Sequence, residues 1–269
     1  MPYLQIAYKR LHYTDYPPSP SATTPHRGTI IAHHGLGSSQ NFYSPLVPQL
    51  AAAGYRVVAF DATGAARSPH TQVEQSVASL AADVVGILDA LGVERAVVLG
   101  HSMGGIVAAH LAAEPETRGR VEAVVLMGPV YPSEGVARAF GGRIDTVEKE
   151  GVEPLANTIP FAAVGSAAGP LVSPFIRELL LGQSSAGYLS NCRVIANARR
   201  PRYEEISVPV LLLAGEEDKS APLEGCKKII EEIGSKRKHI EVLKGVGHWH
   251  VIEAPVLVGE QILKFLSDE

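Results

Sequence analysis

The sequence predicts an α/β protein: a mostly parallel central sheet with helices on both faces and a helical insertion. Three observations carry this expectation. Short apolar runs, among them 29–33, Tyr55–Phe60 and Val121–Met127, alternate with stretches of helical spacing. These runs do not alternate apolar with polar, as strands covered on both faces need not. The alternation stops near Tyr131 and resumes only at Val208.

In chain order, residues 3–11 read as one early strand and the proline- and serine-rich 16–25 as a loop. A buried strand at 29–33 runs into His34-Gly35-Leu36-Gly37. Helical spacing over 42–53 closes at Gly54, and the strand at 55–60 ends at Asp61. An amphipathic helix over 77–91 stops at Gly92, a residue suited to a left-handed C-terminal cap. A strand at 95–99 and a helix at 106–113 flank a glycine-rich turn, and the strand at 121–127 ends at Gly128-Pro129. Helical patches at 146–155, 173–181 and 186–198 follow, divided by Gly and Pro and without a convincing strand. No linker marks either edge of this stretch. The expected organisation is therefore a core of 1–130 and 203–269, with 131–202 inserted as a helical cap over the C-terminal strand ends. A strand at 208–213, a helix at 223–233, a strand at 239–243, a loop at 245–250 and a helix from about 254 to 266 complete the chain.

With 269 residues, 46% hydrophobic and 19% charged, the chain can bury a large core. Its net charge of −4 leaves no basic footprint, which argues against a nucleic-acid partner. Cys192 and Cys226 form no metal-type spacing and suit buried small side chains in a reducing compartment. The start, Met1-Pro2-Tyr3-Leu4, lacks the charged and apolar regions of a secretion signal, and Ser267-Asp268-Glu269 matches no targeting signal. No apolar stretch reaches membrane-spanning length. A cytoplasmic monomer or homodimer without a membrane partner is expected.

Chemistry concentrates at Gly100-His101-Ser102-Met103-Gly104, the G-x-S-x-G pattern of a nucleophile elbow. A serine on a sharp strand-to-helix turn is lifted clear of the chain, and the flanking glycines avoid collision with neighbouring backbone. A serine hydroxyl is too weakly acidic to attack a carbonyl unaided. An imidazole must take its proton, and a carboxylate must hold that imidazole's tautomer. Both residue types follow later strands, in the order serine, acid, histidine. Glu216, Glu217 and Asp218 are the candidate acids, and Asp218 fits G-x-x-D-x-x-x-P. Of His248 and His250, His248 directly follows a glycine and stands at the right offset from Glu253-Ala254-Pro255. The backbone N–H groups of Met103 and Leu36 are the expected oxyanion donors, with Gly35 and Gly37 permitting close approach. Gly35, His101 and Trp249 are expected around the substrate pocket, and His33, His34 and His101 should brace its loops. No histidine cluster has metal-ligand spacing, so neither a metal nor another cofactor is expected.

With these residues placed, the chain resembles the α/β-hydrolase fold family over almost its whole length. Within it, the chain is similar to the branch of 3-oxoadipate enol-lactonases and related lactonases and esterases. His34-Gly35-Leu36-Gly37-Ser38, the elbow, Gly215-Glu216-Glu217-Asp218, Gly247-His248 and the cap stretch Gly187-Tyr188-Leu189-Ser190-Asn191-Cys192 carry the likeness. The turn Asp61-Ala62-Thr63-Gly64-Ala65-Ala66-Arg67-Ser68-Pro69 departs from the family's Arg-Gly-x-Gly-x-Ser pattern, its arginine being displaced. The resemblance implies a serine hydrolase that cleaves a small-molecule ester or lactone through an acyl-enzyme on Ser102, with Asp218 and His248. Carbon–carbon bond hydrolysis, cofactor-free perhydrolysis and a non-enzymatic small-ligand receptor stay open on the same scaffold. The Ala-, Val- and Leu-rich cap, with Phe161, suggests a largely apolar pocket, and Arg138, Arg177 or Arg193 could hold a substrate carboxylate.

Overall fold

Eight strands form one sheet in the computed structural model, which describes residues 2–22 and 26–267. Thr23 to Pro25, within the expected loop, and Asp268-Glu269, within the tail read for a targeting signal, lie outside the described residues. The strands are β1 Tyr3–Ile6, β2 Lys9–Tyr16, β3 Gly28–His33, β4 Tyr55–Phe60, β5 Ala96–His101, β6 Val121–Met127, β7 Val210–Gly215 and β8 Lys238–Leu243. Their order is β1-β2-β4-β3-β5-β6-β7-β8. β1 and β2 pair antiparallel to their neighbours, and every other pair is parallel.

Helices α1 (Val47–Ala52), α2 (Val77–Ala90), α3 (Met103–Ala113), α8 (Leu223–Glu232), α9 (His250–Glu253) and α10 (Pro255–Ser267) belong to the core. α1 packs with α10, and α2 with α3. Every residue of β5 and β7 is buried. Since successive side chains of a strand point to opposite faces, such strands are covered on both sides, which is why their sequences are unbroken apolar runs. Among the described residues, no helix is long and apolar enough to cross a membrane.

Two expectations for the N-terminal third change. Residues 3–11 form a hairpin, with Ile6 opposite Lys9 and Ala7 at φ 53 making the turn without Gly, Asn or Pro to announce it. Lys9 is thereby carried inward, where its Nζ lies 2.8 Å from Asp83 Oδ1 and donates to Gln75 Oε1 at 2.7 Å. The stretch 42–53 splits into a short 3₁₀ turn at Gln40–Tyr43 and then α1.

Between β6 and β7 stand four further helices: α4 Glu134–Glu150, α5 Glu153–Ala162, α6 Val172–Leu181 and α7 Ser185–Ala196. The patch 146–155 straddles the α4–α5 junction, where Gly151 takes φ 78. α4 extends well before 146, through Gly141-Gly142, whose poor helix propensity hid it.

The stretch Gly187 to Cys192 is the seam that docks this insertion on the core. Gly187 lies against the Gly64 backbone so closely that a Cβ there would overlap the Gly64 carbonyl. Asn191 Nδ2 donates to Thr63 O at 3.2 Å, and Ser190 Oγ accepts from Gln75 N at 3.2 Å. Thr63 is itself fixed through its hydroxyl, which donates to Asp83 Oδ2 at 2.7 Å. Replacing Gly187 by Ala should therefore push α7 off the turn and cost about 1–3 kcal/mol, the usual range for overpacking. Denaturant unfolding would measure this, and an unchanged midpoint would refute the close docking.

Candidate active site

Ser102 follows β5 with φ 54 and ψ −112, a conformation rarely taken by a residue with a side chain. Neighbouring backbone holds it there. A Cβ on Gly100 would overlap the Gly104 carbonyl, and one on Gly104 would overlap the carbonyl of His33 on β3. α3 therefore starts directly against the ends of two strands, and Ser102 N–H donates to Met127 O on β6 at 3.0 Å. The strain is of the order of 1–3 kcal/mol.

After β7, the Asp218 carboxylate accepts the Ser220 and Ala221 N–H groups on Oδ1, each at 2.8 Å. Its Oδ2 lies 2.8 Å from His248 Nδ1. Burial alone would raise this carboxyl; the facing His248 and the hydrogen bonds outweigh burial and hold it below the ordinary aspartate value. Glu216 and Glu217 point elsewhere. Glu216 accepts from Gly245 N at 3.0 Å, and Glu217 holds Ser166 N at 2.8 Å and Ser166 Oγ at 2.6 Å.

The backbone of His248 is fixed on both sides. Its N–H donates to Ala163 O at 2.8 Å, which ties it to the insertion. Its carbonyl receives two imidazole N–H groups, His101 Nε2 at 2.8 Å and His250 Nδ1 at 2.7 Å. Because a carbonyl only accepts, these contacts set the tautomer of both rings. Burial drives both towards neutrality: His101 titrates well below the usual histidine range, and His250 is pushed down to about 4. Glu253 completes the brace, accepting Gly247 N and Gly165 N on Oε2 and Trp249 N on Oε1, each at 2.8 Å.

The loop carrying Leu36 rests on histidines as well. His33 Nδ1–H donates to His34 O at 2.9 Å, and His34 Nδ1–H donates to Gly35 O at 2.7 Å. That leaves His34 Nε2 to accept Ala62 N–H at 3.0 Å. Ala62 belongs to the turn that departs from the family pattern, and Asp61 anchors that turn. Asp61 Oδ1 accepts Gln40 N at 2.8 Å, Oδ2 lies 2.9 Å from His12 Nδ1, and its carbonyl accepts from Ser68 Oγ at 2.6 Å. The displaced arginine thus leaves the support of the Leu36 loop in place.

Ser102 and His248 line one small cavity of about 40 Å³, with Leu36 and Trp249 beside them. Among the described residues no hydrogen bond joins the Ser102 hydroxyl to His248; such contacts commonly tighten only with substrate bound. Neither Leu36 N–H nor Met103 N–H has an acceptor among the described residues. Met103 opens α3, so its N–H is one of the helix's unpaired donors. Two residues expected around the pocket stand behind its wall. Gly35 packs on His101 and Ser102, and the His101 ring stacks on Phe42 with centroids 4.2 Å apart.

The insertion supplies Phe140, Arg143, Ile159, Leu180 and Tyr188 to the cavity. Phe161, expected there, is 74% exposed. The arginines considered for a substrate carboxylate are occupied at the surface: Arg138 faces Glu134, Arg177 faces Asn157 and Glu178, and Arg193 faces Glu74 and Glu148. Sequence reasoning passed over Arg143 and Glu253. A helical signal for Arg143 was present, because Phe140, Arg143 and Val147 share one face of α4, whereas Arg138 lies off it.

Comparisons with known proteins agree with this architecture. A family model described as alpha/beta hydrolase fold matches residues 28–145, and one described as Serine aminopeptidase, S33, matches residues 177–255. The 3-oxoadipate enol-lactonase 2 of Acinetobacter baylyi is 31% identical over 200 residues, 71% of this chain and 72% of that protein. The 2-hydroxy-6-oxo-6-phenylhexa-2,4-dienoate hydrolase of Comamonas testosteroni is 30% identical over 245 residues, 80% of this chain and 78% of that protein. A Caulobacter protein provisionally named carbamate hydrolase RutD is 29% identical over 251 residues, 90% of this chain and 92% of its own. The crystal structure of the enol-lactonase from Burkholderia xenovorans LB400 superposes with a TM-score of 0.87 at 25% identity, covering 99% of this chain and all of that one.

Two measurements probe the site's construction. Ser102→Gly releases the strained φ while Ser102→Ala keeps it, so the glycine variant should be the more stable by about 1 kcal/mol, even after glycine's own entropic cost. Equal stabilities would mean that the elbow stores no strain. For His250, the folded value of about 4 lies below the unfolded value near 6.5. Above pH 6.5 both states are neutral; below it the unfolded chain protonates first, so stability is lost as pH falls towards 4. His250→Asn keeps a donor for the His248 carbonyl but cannot titrate. It should reduce the stability lost between pH 7 and pH 5 by about 2 kcal/mol, and an unchanged pH profile would refute the assignment.

Proposed function

Because the chain belongs to the α/β-hydrolase fold family, we propose that it hydrolyses a carboxylic ester or lactone through an acyl-enzyme on Ser102. The observation that carries this reading is the convergence at one cavity: Ser102 on its strained elbow, His248 beside it, and Asp218 2.8 Å behind His248. Asp218 holds the proton on Nδ1 and leaves Nε2 of His248 to act as base. Ser102 Oγ attacks the substrate carbonyl carbon and its proton passes to Nε2. The negative oxygen of the tetrahedral intermediate is received by the N–H groups of Leu36 and Met103. Two such donors in a water-poor cavity lower the barrier by several kcal/mol, about 3 each.

Collapse of the intermediate returns the proton from His248 to the departing alkoxide. With a lactone, the leaving oxygen stays tethered to the acyl chain. Water, deprotonated by His248, then attacks the acyl carbon and releases Ser102. The ionised Asp218 stabilises the imidazolium in both halves, and its depressed pKa keeps it charged throughout the neutral range. The 131–202 insertion acts in this reading as a cap that excludes water and shapes the acyl site.

A second reading, carbon–carbon bond hydrolysis, is favoured by the likeness to the Comamonas hydrolase and uses the same residues. Substrate tests separate the two. Ser102→Ala should lower kcat on a p-nitrophenyl ester at least about 10⁴-fold, and Asp218→Asn by a similar factor, with the fold retained. Undiminished turnover by Ser102→Ala would sink the mechanism. Turnover of a β-diketone by an enzyme inert towards esters and lactones would select the second reading.

A further inference from the structure

β8 ends the sheet: it pairs with β7 on one side, and no strand lies on its other side among the described residues. The direction of its backbone groups follows from that pairing. Val210 N–H donates to Arg237 O and Glu216 N–H to Leu243 O, so the odd-numbered residues of β8 turn their backbone groups towards β7. The even-numbered residues, Lys238, Ile240 and Val242, turn theirs outward. Among the described residues no hydrogen bond from another segment reaches these outward groups. Proteins usually guard such an edge with lysine, proline or a bulge. Here the register with β7 runs unbroken from Lys238 to Leu243, and no proline interrupts the strand. The one lysine is turned off the edge, since Lys238 Nζ donates to Glu231 O and Ile233 O at the end of α8.

The side chains select the strand that fits. An antiparallel partner bonds through outward residues standing directly opposite one another, so even-numbered residues must face even-numbered ones. With a second copy of β8 centred on Ile240, Ile240 faces its own mate, Lys238 faces Val242 and His239 faces Glu241. Both His239–Glu241 pairs then fall at non-hydrogen-bonded positions, where opposed side chains stand closest. An imidazole donates to a facing carboxylate whether neutral or charged. Moving the centre by one residue sets Glu241 against Glu241 or His239 against His239, and both favourable pairs are lost. His239 and Glu241 already share one face of the strand, 3.3 Å apart at the surface. Beside them a hollow of about 230 Å³ opens between β8 and α10, lined by His239, Gln261, Lys264 and Phe265. A Glu241 carboxylate from a second copy would enter next to Lys264 as well as His239.

We propose that two copies of this chain associate through β8, antiparallel about a two-fold axis at Ile240, so that their eight-stranded sheets continue as one. Each copy presents the same patch to the other, so the assembly closes at two. None of the interface residues named lines the Ser102 cavity, and the pairing does not depend on the reaction.

Analytical ultracentrifugation of the full-length protein should show a concentration-dependent species of twice the chain mass. Val242→Pro deletes an outward N–H without removing a bond to β7, and should give monomer with unchanged circular dichroism. His239→Glu and Glu241→Lys should each raise the dimer dissociation constant about tenfold, and the double variant should recover most of the loss. A cross-linking arm does not depend on affinity. The two copies of residue 240 would stand about 5.5 Å apart as a hydrogen-bonded pair, within disulfide reach, so Ile240→Cys should form a covalent dimer on oxidation. Val242→Cys should not, because its two copies would lie four residues out of step, about 14 Å apart. Cys192 and Cys226 are buried, and the wild type serves as the blank. A wild type that stays monomeric, or a dimer that survives Val242→Pro and gives no Ile240→Cys cross-link, overturns the proposal. Preferential cross-linking through Val242→Cys, or a double charge variant no tighter than the single ones, overturns the pairing about Ile240.

Discussion

The site depends first on a backbone contact, not on a side chain. The His33 carbonyl at the end of β3 and the Gly104 backbone at the start of α3 approach so closely that no Cβ fits between them. That approach presses the helix onto the sheet edge and forces Ser102 into positive φ. Strain of this kind persists only where the surroundings over-determine it. Here the surroundings are three parallel strands, with β3 behind Gly104, β5 leading into the elbow, and β6 accepting the Ser102 N–H through Met127. The same geometry makes Met103 the first residue of α3, with its N–H among the helix's unpaired donors. One steric constraint therefore sets both the backbone of Ser102 and the start of α3.

Buried histidines do the second part of the positioning, and they do it uncharged. His101 and His250 grip the carbonyl of His248 from opposite sides, while His33 and His34 tie the Leu36 loop to its neighbours. Neutral imidazole suits this task because it offers one donor and one acceptor on a rigid ring, and each of these rings is in the sheet-end cluster. Positive charges this close to His248 would oppose the imidazolium that its proposed general-base role requires. Burial removes that conflict by keeping the four rings from titrating near neutrality. Glu253 extends the brace to Gly165, so the loop carrying His248 and the insertion are held by one carboxylate.

The parallel core was legible because its strands are buried on both faces and so write themselves as apolar runs. Gly100, Gly104 and Gly247 marked the turns because close backbone approach excludes other residues. The hairpin at Ala7 was not legible, since a two-residue turn without Gly or Asn leaves no mark, and the buried Lys9 reads as surface until Asp83 is seen beside it. In the insertion, Gly141-Gly142 hid the length of α4. The choice of Asp218 over its two glutamate neighbours followed from spacing, and their separate partners, Ser166 and Gly245, appear only in three dimensions. Phe161 misled because an aromatic residue in an apolar stretch reads as buried, whereas the α5 terminus turns it outward.

This division between legible and illegible residues follows how the two parts of the molecule are held. The core half of the cavity is fixed by backbone constraints, which admit few residue types and therefore leave motifs. The insertion half is fixed mostly by helix faces, which admit any side chain of suitable size, and so its cavity-lining residues other than Tyr188 carry no motif. Even there the docking seam is constrained: Gly187 must lie on Gly64, and Asn191 must reach Thr63. That seam fixes where Tyr188 stands, and α4 packs on α7 next to it. Arg143 on α4 is thus positioned by a motif on α7, and only its place on the Phe140–Val147 face of α4 announces it. The elbow at Ser102 and the insertion's wall of the cavity are governed by different physics, and within this scaffold the second can change without disturbing the first.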